Sequence, residues 1–243
     1  MSNNAELIVA LDVSDGDAAC DAAAALPLEV RCVKVGLELF CAAGPAVIDR
    51  LCAAGREVFL DLKFMDIPRT VERAVTAAGR GGAFMLTVHA SGGREMLTAA
   101  AGAARALGPR RPKLVAVTVL TSLDRHDLRE LGVQREPSDQ VLALAALALS
   151  CGLDGLVCSA QEAAELRRRL GPEPILVTPG IRPAGGALGD QKRVATPADA
   201  VRAGASYLVV GRPILEAADP AAAARAVLEE MEKENLHARG KAV

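Results

Sequence analysis

Aromatic residues make up only 2% of the 243 residues. Such a chain offers little for stacking the bases of single-stranded nucleic acid. Charge of neither sign dominates. The net charge is −2, which gives no field for gathering a polyanion. Arg110-Arg111 and Arg167-Arg168-Arg169 are short runs that read as solvated faces. Long apolar runs are lacking too. The most apolar one, 141–148, is too short to span a bilayer. Residues 1–6 show neither the basic nor the apolar region of a signal peptide. The six cysteines (Cys20, Cys32, Cys41, Cys52, Cys151, Cys158) include no Cys-x-x-Cys pair. They read as reduced thiols filling core space, not as metal ligands. These absences together predict a cytoplasmic protein with neither a membrane nor a nucleic-acid partner.

What is present is apolar and periodic. The hydrophobic fraction is 51%, ample for one large core. Eight short apolar runs, at 7–11, 31–35, 57–63, 84–89, 114–120, 155–158, 175–178 and 206–210, alternate with helical patterns. Continuous apolar runs mean strands buried on both faces, hence a parallel sheet. Eight such units in a chain of this length predict an α/β fold, a single-domain (β/α)8 TIM barrel over 1–243. The alternative is an open doubly wound sheet, whose Gly-x-Gly-x-x-Gly after the first strand is absent. No linker or repeat divides the chain. A polar connection is expected at 123–137, a last helix from 220 to about 233, and a frayed tail over 236–243.

The stretch 57–68 stands out. Along a strand, alternate side chains share a face. Phe59, Asp61 and Lys63 then lie on one side, and Val58, Leu60 and Leu62 on the other. The first face turns ionic at its C-terminal end, where burying charge costs several kcal/mol per ion. A structural ion pair would account for this locally. A barrel demands more: active residues at the C-terminal ends of several strands. Asp12, Lys34, Asp61, Lys63, His89, Thr121, Gly211 and Arg212 all fall at such ends. Lys34 needs a buried carboxylate partner. Asp61, expected at the same level on the next strand, gives a chain of alternating sign, Lys34–Asp61–Lys63–Asp66. His89 is equally readable as a hydrogen-bonded mouth residue. At the eighth strand's end, Gly211 permits close backbone approach and Arg212 offers a two-pronged donor, which suits phosphate. The preceding glycine-rich segment, with Arg182 and Gln191, reads as a closing lid or else as a surface loop.

Asp61-Leu62-Lys63-Phe64-Met65-Asp66-Ile67-Pro68 resembles the Asp-x-Lys-x-x-Asp-Ile-Pro motif of the orotidine 5'-phosphate decarboxylase family. Val9-Ala10-Leu11-Asp12, Lys34-Val35-Gly36, Val88-His89-Ala90-Ser91-Gly92-Gly93, Thr118-Val119-Leu120-Thr121-Ser122, Thr178-Pro179-Gly180-Ile181-Arg182, Gly189-Asp190-Gln191 and Val210-Gly211-Arg212-Pro213 follow the family's order. Met65 and Arg69 depart from the commoner histidine and asparagine, at positions outside the motif's charges. The resemblance implies conversion of orotidine 5'-monophosphate to uridine 5'-monophosphate and CO2, with no metal and no organic cofactor. It implies Lys63, Asp61, Asp66 and Lys34 as catalytic. Asp12, Lys34, Asp61, Thr70, Thr121, Arg182, Gln191, Gly211 and Arg212 are implied as substrate-binding. It also implies a homodimer in which Asp66 and Thr70 reach the partner's site. Two rivals stay open: a Mg2+-dependent sugar-phosphate enzyme sharing Asp-x-Lys-x-x-Asp, and a phosphate-ligand sensor without catalysis.

Overall fold

A computed structural model describes residues 4–183 and 195–240. In it, β1 (Glu6–Ala10), β2 (Cys32–Val35), β3 (Glu57–Phe64), β4 (Ala83–His89), β5 (Lys113–Val117), β6 (Gly155–Val157), β7 (Ile175–Thr178) and β8 (Tyr207–Val210) pair side by side in chain order. Every pairing is parallel, and β8 closes on β1 with Val9 opposite Val210. The expected (β/α)8 barrel is the observed fold.

Helices α1 (Gly16–Ala25), α2 (Leu37–Ala43), α3 (Ala46–Ala53), α4 (Pro68–Arg80), α5 (Gly93–Ala106), α6 (Arg125–Glu130), α7 (Pro137–Ser150), α8 (Ala160–Leu170), α9 (Pro197–Arg202), α10 (Arg212–Leu215) and α11 (Pro220–Gly240) fill the connections. Their starts are locally encoded. Asp15 accepts from the N–H groups of Asp17 and Ala18 at 3.0 and 2.8 Å. Ser159 and Glu162 form a reciprocal capping box. Pro68 opens α4, where its missing N–H costs no helical bond.

Two apolar layers hold the barrel. Ile8, Ala10, Cys32, Phe59, Met85, Val115, Val177, Tyr207 and Val209 fill its interior. The alternate residues of the same strands, such as Leu7, Val9, Val58 and Leu60, pack outward among the helices. Phe59 is 2% exposed, and burying a side chain of that size contributes about 1.5–3 kcal/mol.

Several boundaries and surfaces differ from expectation. The fifth strand ends at Val117, so Thr121 lies in the turn beyond it. The connection at 123–137 holds α6, whose Asp124–Asp127 capping box gives it a start. The last helix continues to Gly240. Arg111 and Arg167 do not belong to solvated faces. Arg111 grips both oxygens of Asp154 at 2.6 and 2.8 Å. Arg167 donates to the carbonyls of Gly171, Pro172, Pro174 and Gly204. Of the free thiols, Cys32, Cys151 and Cys158 are buried as expected, whereas Cys41 is exposed. Among the described residues no helix is long and apolar enough to cross a membrane.

Candidate active site

A cavity of about 190 Å3 opens at the C-terminal ends of the strands. Lys34, Asp61, Lys63 and Thr121 line it together with Phe59, Val117, Val119, Leu120, Val157, Val177, Pro179 and Val209. Phe59 forms part of its floor because it precedes Asp61 by two residues on the inward face of β3. The charged groups therefore sit above an apolar base, partly shielded from solvent, where electrostatic interactions are stronger than in bulk water.

Lys63 Nζ lies 3.0 Å from each oxygen of Asp61. The expected regular strand breaks here. β3 and β4 pair Leu60 with Leu86 and next Phe64 with Val88. Asp61, Leu62 and Lys63 thus stand against Thr87 alone. Lys63 adopts φ +52°, the only positive φ outside glycine among the described residues. A non-glycine residue in this region carries on the order of 1–3 kcal/mol of strain. Bulges of this kind re-aim side chains beside active sites. Thr87, which is 1% exposed, accepts from the Lys63 N–H at 2.8 Å and donates to Asp61 Oδ1 at 2.9 Å. Thr87 is not among the residues that the sequence singles out. Its signal was the inward alternation Met85, Thr87, His89 on β4.

The expected Lys34–Asp61 link is not formed. Lys34 pairs in register with Phe59, not Asp61, and its Nζ lies 2.9 Å from Asp12 Oδ1. The oxygens of Asp61 are already engaged by Lys63 and Thr87. Two ion pairs, Asp12–Lys34 and Asp61–Lys63, therefore replace the single alternating chain. Glycines make room for the first pair. A Cβ at Gly36 would come 2.9 Å from Lys34 Nζ, and one at Gly211 would come 3.4 Å from Asp12 Oδ2.

Asp66 is exposed, and its Oδ1 accepts from the Ile67 N–H at 2.6 Å. It makes no ion pair among the described residues. Thr70 is also exposed, on the first turn of α4. Around them Met65 and Ile67 are 55% and 67% exposed. Within one chain these residues are not gathered into the cavity. His89 ends β4 half-buried. Burial, then the nearby Lys63 charge, hold its imidazole below the usual histidine range, against the opposing pull of Asp61.

Gly211 follows β8 and precedes α10, which begins with the exposed Arg212. β8 adjoins β1, so this corner borders Asp12. Arg182 lies beside the isolated Ile181–Ala195 bridge, its N–H 2.9 Å from the Ala195 carbonyl. That bridge draws together the two ends of the segment expected to be a lid. Residues 184–194 of that segment, including Gln191, lie outside the described residues. Among the described residues, the cluster of metal-type ligands is His126, Asp127 and Glu130 on α6, none of which lines the cavity.

Orotidine 5'-phosphate decarboxylase of Marinomonas sp. (strain MWYL1) is 52% identical over 222 residues, covering 91% of this chain and 94% of that protein. The enzyme of the same name from Gluconobacter oxydans (strain 621H) is 50% identical, covering 95% of this chain and 99% of that protein. The crystal structure of orotidine 5'-phosphate decarboxylase from Lactobacillus acidophilus superimposes with a TM-score of 0.84 at 40% identity, over 94% of this chain and 99% of that one. Residues 5–227 match the Orotidine 5'-phosphate decarboxylase / HUMPS family, and the chain belongs to that family.

Proposed function

We propose that this protein decarboxylates orotidine 5'-monophosphate to uridine 5'-monophosphate and CO2, the last step in making the pyrimidine nucleotide. One observation carries the reading: the Lys63 ammonium, held by both oxygens of Asp61, in a cavity with largely apolar walls. Breaking the C6–carboxylate bond leaves its electron pair on C6, where the pyrimidine ring accepts it poorly. A fixed positive charge in a water-poor pocket stabilises such a carbanion. Lys63 supplies that charge and then gives a proton to C6. The reaction on this reading draws its electron-pair stabilisation from the protein and needs neither metal nor organic cofactor.

The other residues divide by position. Asp61 aims Lys63 and lies near the departing carboxylate, whose repulsion would add a smaller contribution. Asp12 and Lys34 suit the ribose hydroxyls, and Thr121 suits the base. Gly211, Arg212, Arg182 and Gln191 would hold the phosphate. Binding energy gathered there, far from C6, can drive closure over the reacting centre. Asp66 and Thr70 would complete the site of a second copy in a cytoplasmic homodimer. Their exposure, beside exposed Met65 and Ile67, supports that placement.

An assay in excess chelator tests the reading. Orotidine 5'-monophosphate should be consumed at an undiminished rate, with uridine 5'-monophosphate appearing in equal amount. Lys63→Ala should show no turnover while still binding the product. Activity that vanishes with chelation would favour the Mg2+-dependent rival, and substantial turnover by Lys63→Ala would remove the proton-donor role.

A further inference from the structure

We infer that Thr87 is a positioning residue that sets the aim of the Lys63 ammonium by holding its backbone in the left-handed conformation. The inference rests on the reading of Lys63 as proton donor. β4 supplies one residue, Thr87, where β3 supplies Asp61, Leu62 and Lys63. The sheet ladder is interrupted there, and the Lys63 N–H cannot take its usual strand partner. Thr87 Oγ1 accepts that N–H at 2.8 Å. An amide can only donate, so the hydroxyl must act here as acceptor, and its own proton is left for Asp61 Oδ1, 2.9 Å away.

A closed ring results: Lys63 backbone to Thr87 hydroxyl, hydroxyl to Asp61 carboxylate, carboxylate to Lys63 ammonium. One hydroxyl thereby ties the strained backbone to the carboxylate that orients its side chain. Thr87 is 1% exposed, so no water readily replaces it. It does not line the cavity, and it acts on substrate through Lys63 and Asp61. Without the hydroxyl, a buried N–H and one carboxylate contact lose their partner, and the Lys63 backbone is freed to relax toward negative φ.

Thr87→Val keeps the shape and removes the hydroxyl, while Thr87→Ser keeps the hydroxyl and removes a methyl group. For orotidine 5'-monophosphate, Thr87→Val should lower kcat on the order of 10- to 100-fold, the range expected for misplacing a catalytic group by about 1 Å. KM should stay within about threefold, and Thr87→Ser should recover most of the lost rate. A Thr87→Val enzyme within twofold of wild-type kcat would overturn the inference. So would a Thr87→Ser enzyme no faster than Thr87→Val, or a loss confined to KM. If Thr87→Val does not fold, Thr87→Ala serves as the variant without a hydroxyl, with the same expectations. Lys63→Ala, measured alongside, separates the two readings. Turnover in Lys63→Ala counts against the proton-donor role, whereas a dead Lys63→Ala beside a fully active Thr87→Val counts against Thr87 alone.

Discussion

Lys34 and Asp12 meet across the β1–β2 edge of the barrel mouth, Nζ to Oδ1 at 2.9 Å, and Gly36 leaves the space in which that ammonium sits. Gly36 has φ −94° and ψ −173°, a conformation open to alanine. The cost of a methyl group there is spatial: its carbon would lie 2.9 Å from Nζ. A lysine tip yields more readily than backbone, so Gly36→Ala should push the ammonium away from Asp12 and leave the fold intact. A charge-assisted hydrogen bond contributes about 1.5–3 kcal/mol, discounted here because the Asp12 side chain is 51% exposed. The expected result is a fall in kcat/KM on the order of tenfold with a melting temperature near that of wild type. Unchanged kinetics would show that the Lys34–Asp12 geometry does not matter to substrate.

Asp66 gives a prediction of a different kind, because its carboxylate faces outward within one chain. Lys63→Ala and Asp66→Ala should each be inactive alone. If Asp66 serves the neighbouring copy, a mixed dimer holds one site with both lesions and one with neither. Mixing the two variants under conditions that exchange subunits should therefore restore up to about half the wild-type activity per mixed dimer, from symmetry alone. Differently tagged subunits allow mixed dimers to be isolated and assayed. No recovery in confirmed mixed dimers would place Asp66 in its own chain's site, or outside any site.

The sequence made the barrel legible because each strand is an unbroken apolar run, and most charged residues at strand ends had no role in a core. Asp61, Lys63 and Lys34 duly line one cavity. Pairing was less legible. Strand register decides whether Lys34 meets Asp12 or Asp61, and register depends on all eight strands closing together. The break between Leu60 and Phe64 is hidden for the same reason: two extra residues in a strand leave no mark in a pattern of apolar letters. Thr87 is illegible in the sequence because a lone threonine in a strand is ordinary until its neighbour is known to need an acceptor. Composition cannot tell a solvated guanidinium from one held by a carboxylate, as Arg111 is, or one wrapped in carbonyls, as Arg167 is.

His89 offers a direct electrical reading of Lys63. Its imidazole is lowered first by burial and next by the Lys63 charge, with Asp61 opposing. In wild type its ring should titrate below the ordinary 6.5, measured by NMR and assigned with His89→Asn. Lys63→Ala removes the repelling charge, so the titration should move upward, although burial keeps it from returning fully. The same depression fixes the sign of a stability effect. Below about 6.5 the unfolded chain takes up a proton on this histidine that the folded chain still refuses. Its contribution to stability is therefore full above that pH, is lost progressively as pH falls, and stops changing once the folded ring is protonated too. His89→Asn should consequently flatten the acid limb of a urea-midpoint profile between neutral pH and pH 5. A ring that titrates above 6.5 would overturn the depression by burial, and one indifferent to Lys63→Ala would mean that the Lys63 ammonium does not project its charge toward β4.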